Sequence, residues 1–456
     1  MFFCLDAIRM RQELISGWGG CPRIKASLYE IHSKSEISLV LEENQSLTPR
    51  GMGRSYGDSS LGPKVLMTPK MNRLLSFNGE SGILECEAGV CLEDLIRVFV
   101  PKGWFLPVTP GTRFVTVGGM FASDVHGKNH HKSGSFSKHV LSFTLLDASG
   151  HLHEVDRQKN LELFLATAGG MGLTGMILKL RFQMIPVKSS WIRQTVFKMK
   201  ALDELLDHFD STHQYTYSVA WVDCLSTGKN LGRSLLMLGE HAAFDELPAD
   251  LKNRAVSLDL RQKLKVPVQL PSGMLNTWSI KTFNSLYYHR IRSRENSQYV
   301  PLLSYFYPLD NIHHWNRIYG RKGFYQYQCV IPKKPDGSKQ LRRLLQEIAD
   351  SKTGSFLAIL KLFGPRDEPY LSFASEGYTL ALDFPNCSGT EALFQKLDEI
   401  VVQSGGRLYL TKDARMSKSM FEAGYLESGL FKEVKRRIDP ENRFTSLQAA
   451  RLGLIA

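Results

Sequence analysis

The sequence of 456 residues lacks the cysteine spacing of a disulfide framework or of a thiolate metal site. Disulfide-stapled domains and zinc sites use paired, closely spaced cysteines. Here no two cysteines stand as C-x-x-C and their number is odd, so we expect a reducing compartment. The seven cysteines are Cys4, Cys21, Cys86, Cys91, Cys224, Cys329 and Cys387.

A long apolar run is missing as well. No window approaches the roughly 18 apolar residues that a membrane-spanning helix needs. The N-terminal MFFCLDAIRMR also lacks the basic stretch and long apolar run of a signal peptide. We therefore expect neither segment, and a cytoplasmic or peripheral membrane location.

Two common phosphate-binding fingerprints are absent, although glycine-rich turns are present. RGMGRSYGD at 50–58 lacks the third glycine of the Rossmann fingerprint, no clear βαβ unit surrounds it, and the Walker A lysine and serine are missing. PGT at 110–112, TVGG at 116–119 and HGKNHH at 126–131 follow, almost without acidic residues. Glycine permits close backbone approach, and successive N–H groups can hold an anion. These turns predict a site for a large phosphorylated cofactor.

Composition indicates a folded chain of two or three domains, because 43% of the residues are hydrophobic. The net charge is 57 − 45 = +12, which favours acidic partners. A solvated basic surface is the simpler explanation of this charge by itself.

Periodicity divides the chain near Pro186. The first 185 or so residues predict an α+β domain of short strands and glycine turns, and the residues after Pro186 predict an antiparallel sheet with helices on one face. We interpret the second part as a substrate-facing domain. The predicted strands are 83–90, 140–146, 176–182, 215–223, 325–331, 356–363, 378–384 and 407–411, and the clearest helices are 92–99, 202–209, 338–349 and 391–403.

Residues 252–294, the basic aromatic segment, carry nine Lys or Arg residues and one acidic residue, Asp259. Aromatic residues are interleaved with them, which is typical of a membrane-surface contact. A mobile solvated loop explains the composition equally well. Nucleic acid is not expected, since no recognised nucleic-acid module accompanies the charge.

Six stretches in a fixed order resemble one known family, the FAD-binding oxidases of the vanillyl-alcohol oxidase superfamily, and most closely its decaprenylphosphoryl-β-D-ribose 2′-oxidase branch. The resemblance runs from about Leu47 to the C-terminus. The stretches are RGMGRSYGD (50–58), PGTRFVTVGGMFASDVHGKNHHKSGSF (110–136), ATAGGMGLTG (166–175), WNRIYG with FYQYQCVIP (315–332), LKLFGPR (360–366) and RLYLTKDAR (407–415).

The resemblance implies a two-domain α+β fold of the PCMH type. An FAD-binding domain made of residues 1–190 and 407–456 would enclose a substrate-binding domain of residues 191–406. Many members of the superfamily attach the flavin through a histidine in the first loop or near the last strand, at positions that correspond here to Tyr56 and Tyr409, so the resemblance implies a non-covalent FAD, as in the ribose oxidase branch. By similarity the cofactor-binding residues are Arg50, Gly51, Met52, Gly53, Arg54, Ser55, Tyr56, Gly57, Gly111, Thr116, Val117, Gly118, Gly119, His126, Gly127, Lys128, Asn129, Ile177 and Tyr409.

The resemblance also implies the reacting residues. Lys412 is expected to be catalytic, because a cation near the flavin ring stabilises the negative charge left by oxidation of an alcohol. His126 is assigned to the flavin site and to catalysis by similarity. Without the family, an ion pair between Lys412 and Asp413 would be the simpler expectation. The implied substrate-binding residues are Lys128, Trp221, Arg317, Gln326, Gln328, Lys361, Phe363 and Lys412.

The histidine cluster His126, His130 and His131 also permits a metal site, since clustered imidazoles are common ligands. Asp124 is the only nearby carboxylate, and the flanking glycines suit backbone contacts better than a tetrahedral site. We therefore expect no metal, and a structural role for His130 and His131.

The implied reaction is oxidation of a polyprenylphosphoryl-β-D-ribose at its 2′-hydroxyl, the first half of epimerisation to a D-arabinofuranose donor for cell-wall arabinan. The implied partners are the lipid-linked sugar, an NAD(P)H-dependent keto-sugar reductase and the membrane surface. Two alternatives stay open: oxidation of a soluble sugar, alditol or aldonolactone, and a non-catalytic subunit that keeps the fold. The sequence departs from the family at Ala381, where a pocket cysteine is expected, at Thr379 and at Phe306.

Overall fold

The computed structural model describes residues 9–262, 264–271 and 275–455. Cys4 and most of the N-terminal MFFCLDAIRMR lie outside this part of the chain, as does Lys263 of the basic aromatic segment. Every helix in the described ranges is too short or too polar to cross a bilayer.

The chain begins with a four-stranded sheet that contains a βαβ crossover. β1 (Met10–Ser16) pairs antiparallel with β2 (Arg23–Glu30), and α1 (Lys34–Glu43) connects β2 to β3 (Thr48–Arg50). β4 (Lys64–Met67) lies between β2 and β3, parallel to both. This βαβ unit ends at Arg50, where the first glycine loop begins, and the loop leads from β3 to β4, so it does not join a strand to a helix as the Rossmann loop does. β3 has only three residues and β2 is half exposed, so neither strand contains a continuous apolar run that would mark it in the sequence.

A second sheet of five antiparallel strands completes the first part of the fold, in the order β5-β6-β10-β8-β9. The predicted strands at 140–146 and 176–182 and the helix at 92–99 are confirmed. Helix α2 buries Leu92, Leu95, Ile96 and Phe99, the four residues of its apolar repeat. The elements are β5 (Leu74–Phe77), β6 (Ile83–Glu87), α2 (Leu92–Phe99), β7 (Trp104–Phe105), α3 (Val117–Ala122), α4 (His130–Ser133), β8 (Val140–Leu146), β9 (Leu152–Asp156), α5 (Leu161–Thr167), β10 (Met176–Gln183) and β11 (Ile185–Pro186), with β7 paired to β11.

An eight-stranded antiparallel sheet dominates the second part, in the order β16-β12-β14-β13-β19-β20-β18-β21. The predicted antiparallel sheet is confirmed. The further elements are β12 (Trp191–Met199), α6 (Leu202–Ser211), β13 (Tyr217–Val222), β14 (Ser234–His241), α7 (Ala249–Lys252), β15 (Leu264–Lys265), α8 (Thr277–His289), β16 (Glu295–Pro301), α9 (Leu302–Phe306), β17 (Ile312–His313), β18 (Phe324–Pro332), α10 (Gly337–Asp350), β19 (Ala358–Phe363), β20 (Gly377–Pro385), α11 (Ser388–Gln403) and β21 (Arg407–Leu408).

The two faces of this sheet have different environments, because successive side chains of a strand point to opposite sides. On β18, the Tyr327 ring lies 5.1 Å from Phe394 of α11. Its neighbours Gln326 and Gln328 line a cavity on the opposite face. One face of the sheet therefore builds a core with the helices, and the other forms a polar wall.

The C-terminal segment returns to the first sheets through α12 (Lys418–Gly424), α13 (Ser428–Ile438) and α14 (Leu447–Leu452). The Leu47 N–H donates to Arg443 O at 2.7 Å, and the Tyr56 N–H donates to Thr411 O at 2.9 Å. The strand predicted at 407–411 is shorter than expected, because only Arg407 and Leu408 pair with β18 before the chain turns.

The basic aromatic segment is partly regular. It contains α8, whose N-cap Asn276 accepts hydrogen bonds from the Trp278 and Ser279 N–H groups. Ile280, Asn284 and Tyr288 anchor one side of α8 in the protein, so the explanation as a mobile loop is wrong for this helix.

Candidate active site

A cavity of about 1010 Å³ lies between the glycine turns and the polar face of the eight-stranded sheet. Cavities that bind drug-sized molecules measure about 300–1,000 Å³, so this one has room for a large ligand. Most residues of the sequence-predicted site line it. They are Arg50, Gly51, Met52, Gly53, Arg54, Ser55, Tyr56, Gly111, Thr116, Gly118, Gly119, His126, Gly127, Lys128, Ile177, Trp221, Gln326, Gln328, Lys361, Tyr409 and Lys412.

The first glycine loop follows β3 and is fixed by its own arginines. Arg50 donates to Ser16 O at 2.8 Å and to Ser60 O at 3.1 Å. The guanidinium carbon of Arg54 lies 4.0 Å from the centroid of the Trp18 ring, so a cation is held at the cavity wall by an aromatic face. A Cβ on Gly51 would lie 2.3 Å from Thr116 Oγ1, and this close approach requires glycine.

The second turn is held by Asp310, which also lines the cavity, and the third turn is held by its own Thr116. The Asp310 carboxylate accepts hydrogen bonds from the Arg113 N–H at 2.7 Å and from Thr112 Oγ1 at 2.8 Å. Thr116 caps α3 and accepts from the Gly119 N–H at 3.2 Å. Sequence reasoning missed Asp310, since an isolated aspartate in a turn carries no motif.

This side of the cavity fits FAD. Glycines allow the main chain to approach a diphosphate, and Arg50 and Arg54 supply positive charge beside them. His126 is buried, and its Nδ1 has no hydrogen-bond partner within the described residues, which leaves a polar atom for a bound group. Tyr409, one of the two tyrosines at the expected attachment positions, donates its hydroxyl to Ser123 O at 2.8 Å.

The opposite wall carries basic side chains. Burial lowers the pKa of Lys412 to about 8, while the charge of Asp383 opposes this shift. Burial, with the neighbouring Lys412, lowers the pKa of Lys361 to about 7. Burial and the charge of Lys361 also bring the pKa of Lys128 to about 7. The wall is thus able to hold an anion, and its lysines titrate near neutral pH.

Lys412 is not paired with Asp413, the simpler expectation from sequence. Its Nζ lies 4.0 Å from the centroid of the Tyr56 ring, whereas Asp413 Oδ2 accepts from Arg451 at 2.9 Å. Asp413 Oδ1 accepts from the Met416 and Arg415 N–H groups, which shapes the turn that presents Lys412.

His126 is held on the same wall by Gln328, whose Nε2 lies 3.0 Å from His126 Nε2. Burial, and then the charge of Lys361, keeps the pKa of His126 well below its ordinary value, so the imidazole is neutral near pH 7. Because the amide donates to Nε2, the remaining proton belongs on Nδ1.

Five predicted site residues do not line the cavity. Val117 is buried in the core, and Gly57 lies against the Asp413 and Ala414 backbone. Asn129 donates to Pro107 O at 2.8 Å, and Arg317 donates to Pro267 O at 2.7 Å. Phe363 is buried with its ring 4.8 Å from His126.

The histidines beside His126 bond to protein groups. His130 Nε2 lies 2.7 Å from Asp367 Oδ2, and His131 Nε2 lies 3.0 Å from Tyr215 O. Within the described ranges no group of three His, Cys, Asp or Glu side chains converges on one point.

Sequence reasoning missed several cavity residues of the basic aromatic segment and of the sheet. Phe283, Tyr287 and Arg290 line the cavity, whereas the composition of their segment indicated a contact at the protein surface. Ala381 also lines it, and none of the six described cysteines does. Asp383 is the direct partner of Gln326 in the antiparallel β18–β20 pair, so its buried side chain lies beside Gln326 on the cavity face of the sheet. The alternation of β20 could have pointed to Asp383, but its depth depends on the neighbouring strands.

Comparisons with known proteins agree with this geometry. A sequence profile described as an FAD binding domain matches residues 32–156. Decaprenylphosphoryl-beta-D-ribose oxidase of Mycolicibacterium smegmatis is 36% identical over 451 residues, which cover 97% of each chain. L-Gulonolactone oxidase of Bos taurus is 29% identical over 196 residues, which cover 42% of this chain and 44% of that protein.

A solved structure shows the same fold. Physcomitrella patens BBE-like 1 superimposes with a TM-score of 0.66 over 92% of this chain and 90% of its own, at 14% sequence identity. The similarity to the mycobacterial oxidase spans nearly the whole chain, further than the start near Leu47 expected from motifs. The chain therefore belongs to the decaprenylphosphoryl-β-D-ribose oxidase family, and it is an FAD-dependent oxidoreductase acting on hydroxyl groups.

Proposed function

We propose that the protein oxidises the 2′-hydroxyl of a polyprenylphosphoryl-β-D-ribose to the 2′-keto sugar, the first half of epimerisation to a D-arabinofuranose donor. The observation that carries this proposal is the 36% identity to decaprenylphosphoryl-beta-D-ribose oxidase over 97% of both chains. A cavity that joins glycine turns to a cationic polar wall supports it.

The two sides of the cavity are proposed to bind different molecules, the cofactor on one side and the substrate on the other. The glycine turns would hold FAD without a covalent bond, since Tyr56 and Tyr409 occupy the two positions at which an attaching histidine is expected. When bound, FAD would accept the hydride of the C2′–H bond, while the proton of the 2′-hydroxyl leaves to solvent as the carbonyl forms. Residues 1–190 and 407–456 would form the cofactor domain, and residues 191–406 the substrate domain. Hydrogen bonds from residues 411–447 to the first loop and sheet support that division.

Lys412 is the proposed catalytic residue. With a pKa of about 8 it is mostly protonated at pH 7, so it places positive charge where negative charge develops. At about 4 Å and an effective dielectric constant of about 20, the interaction is worth about 4 kcal/mol, or about three decades of rate. His126 is assigned a supporting role as a neutral donor through Nδ1.

The sheet wall is proposed to recognise the sugar phosphate. Gln326 and Gln328 offer amides to hydroxyl groups, and Lys361 and Lys128 offer charge to the phosphate. Trp221 donates to Phe356 O at 3.0 Å and presents its ring next to Tyr287, at 4.7 Å between centroids. These two rings form an apolar surface for the start of a prenyl chain. Arg317 and Phe363, which stand away from the cavity, are proposed to support this wall.

The test is anaerobic reduction of the purified yellow protein. Polyprenylphosphoryl ribose is expected to bleach the flavin absorbance, and Lys412→Ala is expected to slow this bleaching about a thousandfold. Lys418→Ala is the matched control, because Lys418 is an exposed lysine of α12 that pairs with Glu422. Bleaching by a soluble sugar, alditol or aldonolactone alone would favour the soluble substrate, and no bleaching by any of them would favour a non-catalytic subunit.

A lipid-linked substrate requires the protein to bind the membrane surface, and α8 is the proposed membrane contact. Trp278 is 82% exposed and Leu286 is 69% exposed on α8, while Phe283 and Tyr287 of the same helix line the cavity. Lys281 and Arg290 add positive charge, which attracts anionic lipid by about 1 kcal/mol for each group near the surface. The separate reductase that would consume the keto sugar is also a proposal.

Vesicle co-sedimentation tests the membrane contact. Trp278→Ala with Leu286→Ser is expected to release the protein from vesicles of mixed neutral and anionic lipid. Leu426→Ser is the control, since Leu426 is 85% exposed in the turn between α12 and α13, far from α8 in the sequence. Equal binding of wild type and both variants, or no binding at low salt, would refute α8 as the contact.

A further inference from the structure

Asp383 is a fully buried carboxylate that the proposed mechanism leaves unused. It lies on β20 with no exposed surface. Its Oδ1 accepts one hydrogen bond, from Gln326 Nε2 at 2.6 Å, and Oδ2 has no partner within the described residues. Burying a charge with so few hydrogen bonds is costly, so a compensating cation is expected nearby.

The sheet register places Asp383 beside Gln326, on the face of the sheet that carries the cavity. Gln326 and Asp383 are direct partners in the antiparallel β18–β20 ladder, so their side chains share one face, and Gln326 lines the cavity while Asp383 does not. Lys412 lines the same cavity, with its Nζ over the Tyr56 ring. The ammonium and the amide therefore line the cavity, and the carboxylate lies next to the amide, buried on the same face.

The electrostatic interaction with Lys412 gives this carboxylate a function. The charge of Asp383 raises the pKa of Lys412 against the effect of burial. Burial raises the pKa of Asp383 to about 7, while the Gln326 hydrogen bond and the charge of Lys412 oppose that shift. The other titratable groups that face the pair are Tyr56, Tyr319, His126 and Lys361.

We infer that Asp383 is a positioning residue that keeps Lys412 protonated, acting from beside Gln326. This inference rests on the proposed catalytic role of Lys412. Burial disfavours the charged form of Lys412, and Asp383 is the negative charge that offsets this effect. Between about pH 7 and pH 8 both members of the pair are ionised, and this is the range in which the carboxylate acts.

The inference is tested by the reactivity of Lys412 itself, without turnover. Trace acetylation of the holoenzyme with acetic anhydride labels only neutral amines, and mass spectrometry quantifies Lys412 against the exposed Lys418. Asp383→Asn removes the charge but keeps the shape, so labelling of Lys412 at pH 7 is expected to rise about fivefold, since a fall of one pKa unit from about 8 raises the neutral fraction by that factor. Asp383→Glu is expected to restore low labelling.

Asp398→Asn is the matched control. Asp398 is a partly buried carboxylate on the helix side of the same sheet, where it accepts from Tyr327 at 3.0 Å and bonds Arg415. It is expected to leave labelling of Lys412 unchanged. If Asp383→Asn does not fold, as judged by circular dichroism and retained flavin, Asp383→Ser removes the same charge with less volume.

Unchanged or lower labelling of Lys412 in a folded neutral variant would overturn the inference. A rise in Asp398→Asn as large as in Asp383→Asn would overturn it as well, because the effect would then be general loosening. The labelling experiment needs no substrate, so its outcome is independent of whether the proposed reaction is correct. A rise in labelling without any turnover would reject the proposed function and keep the electrostatic pair.

Discussion

The two walls of the cavity are built by different means. The cofactor wall consists of turns whose glycines and main-chain groups lie close to the ligand space, as at Gly51 and Gly118. The sheet wall consists of long side chains from strands that are far apart in sequence, such as Trp221, Lys361 and Gln326. Backbone recognition needs a contiguous motif, whereas side-chain recognition needs only the register of a sheet. The first kind of site is therefore visible in a sequence and the second is largely hidden.

The largest expected effect is on activity, and it distinguishes the two walls of the cavity. Lys412→Ala removes one cation of the sheet wall and is expected to lower kcat about a thousandfold while FAD binding persists. Stopped-flow reduction and a flavin spectrum measure the two properties in one sample. Loss of FAD together with activity would show that Lys412 supports the cofactor wall instead.

The cofactor wall is tested by a pair of glycine substitutions. A Cβ on Gly57 would lie 1.8 Å from Asp413 O, so Gly57→Ala must displace main chain that no side-chain rotation can relieve. We expect destabilisation of about 1–3 kcal/mol and loss of FAD on gel filtration. Gly389→Ala is the control, because a Cβ there meets nothing within 4 Å and Gly389 is exposed on α11, outside the cavity lining. Equal FAD retention in both variants would contradict the close approach described here.

The pH dependence distinguishes a titrating lysine from a fixed charge. Burial lowers the pKa of Lys412 to about 8, so the protonated form is lost as pH rises through that value. The rate of flavin reduction is expected to fall about tenfold for each pH unit above it, and Lys412→Arg is expected to be flat there because arginine keeps its charge. A falling alkaline limb retained in Lys412→Arg would assign it to another group.

The smallest expected effect on activity concerns position 381. The cavity has no cysteine among its described lining residues, so thiol-reactive ligands of the cavity are expected to leave the wild type active. Ala381→Cys places a thiol on the sheet wall opposite Gln328 with little change in volume. This variant is expected to keep activity and to become sensitive to such ligands. An adduct on any native cysteine that abolished turnover of the wild type, seen by intact mass, would contradict the prediction.

The glycine loops, the antiparallel sheet and the amphipathic helices could be predicted from the sequence, because each depends on local conformation or on a short period. Helix α2 follows its apolar repeat residue by residue. The crossover that ends at the first loop could not be predicted, because β3 has only three residues and is a strand only through its pairing with β4. Likewise, β21 ends after Leu408 because the chain must turn to present Lys412.

Sequence alone determined that the chain resembles flavin-dependent oxidases, because six stretches in a fixed order carry that resemblance, and it predicted a cofactor site on the glycine turns, which need particular residues at consecutive positions. Tertiary structure alone decided that Asp383 lies beside Gln326, that Asp310 binds the turn at 112–113, and that Phe363 belongs to the core. The physical reason is that the burial of a side chain and the electrostatic potential at it depend on all of its neighbours, and strand register brings these neighbours together. Such neighbours are distant in the chain, and no local pattern contains them.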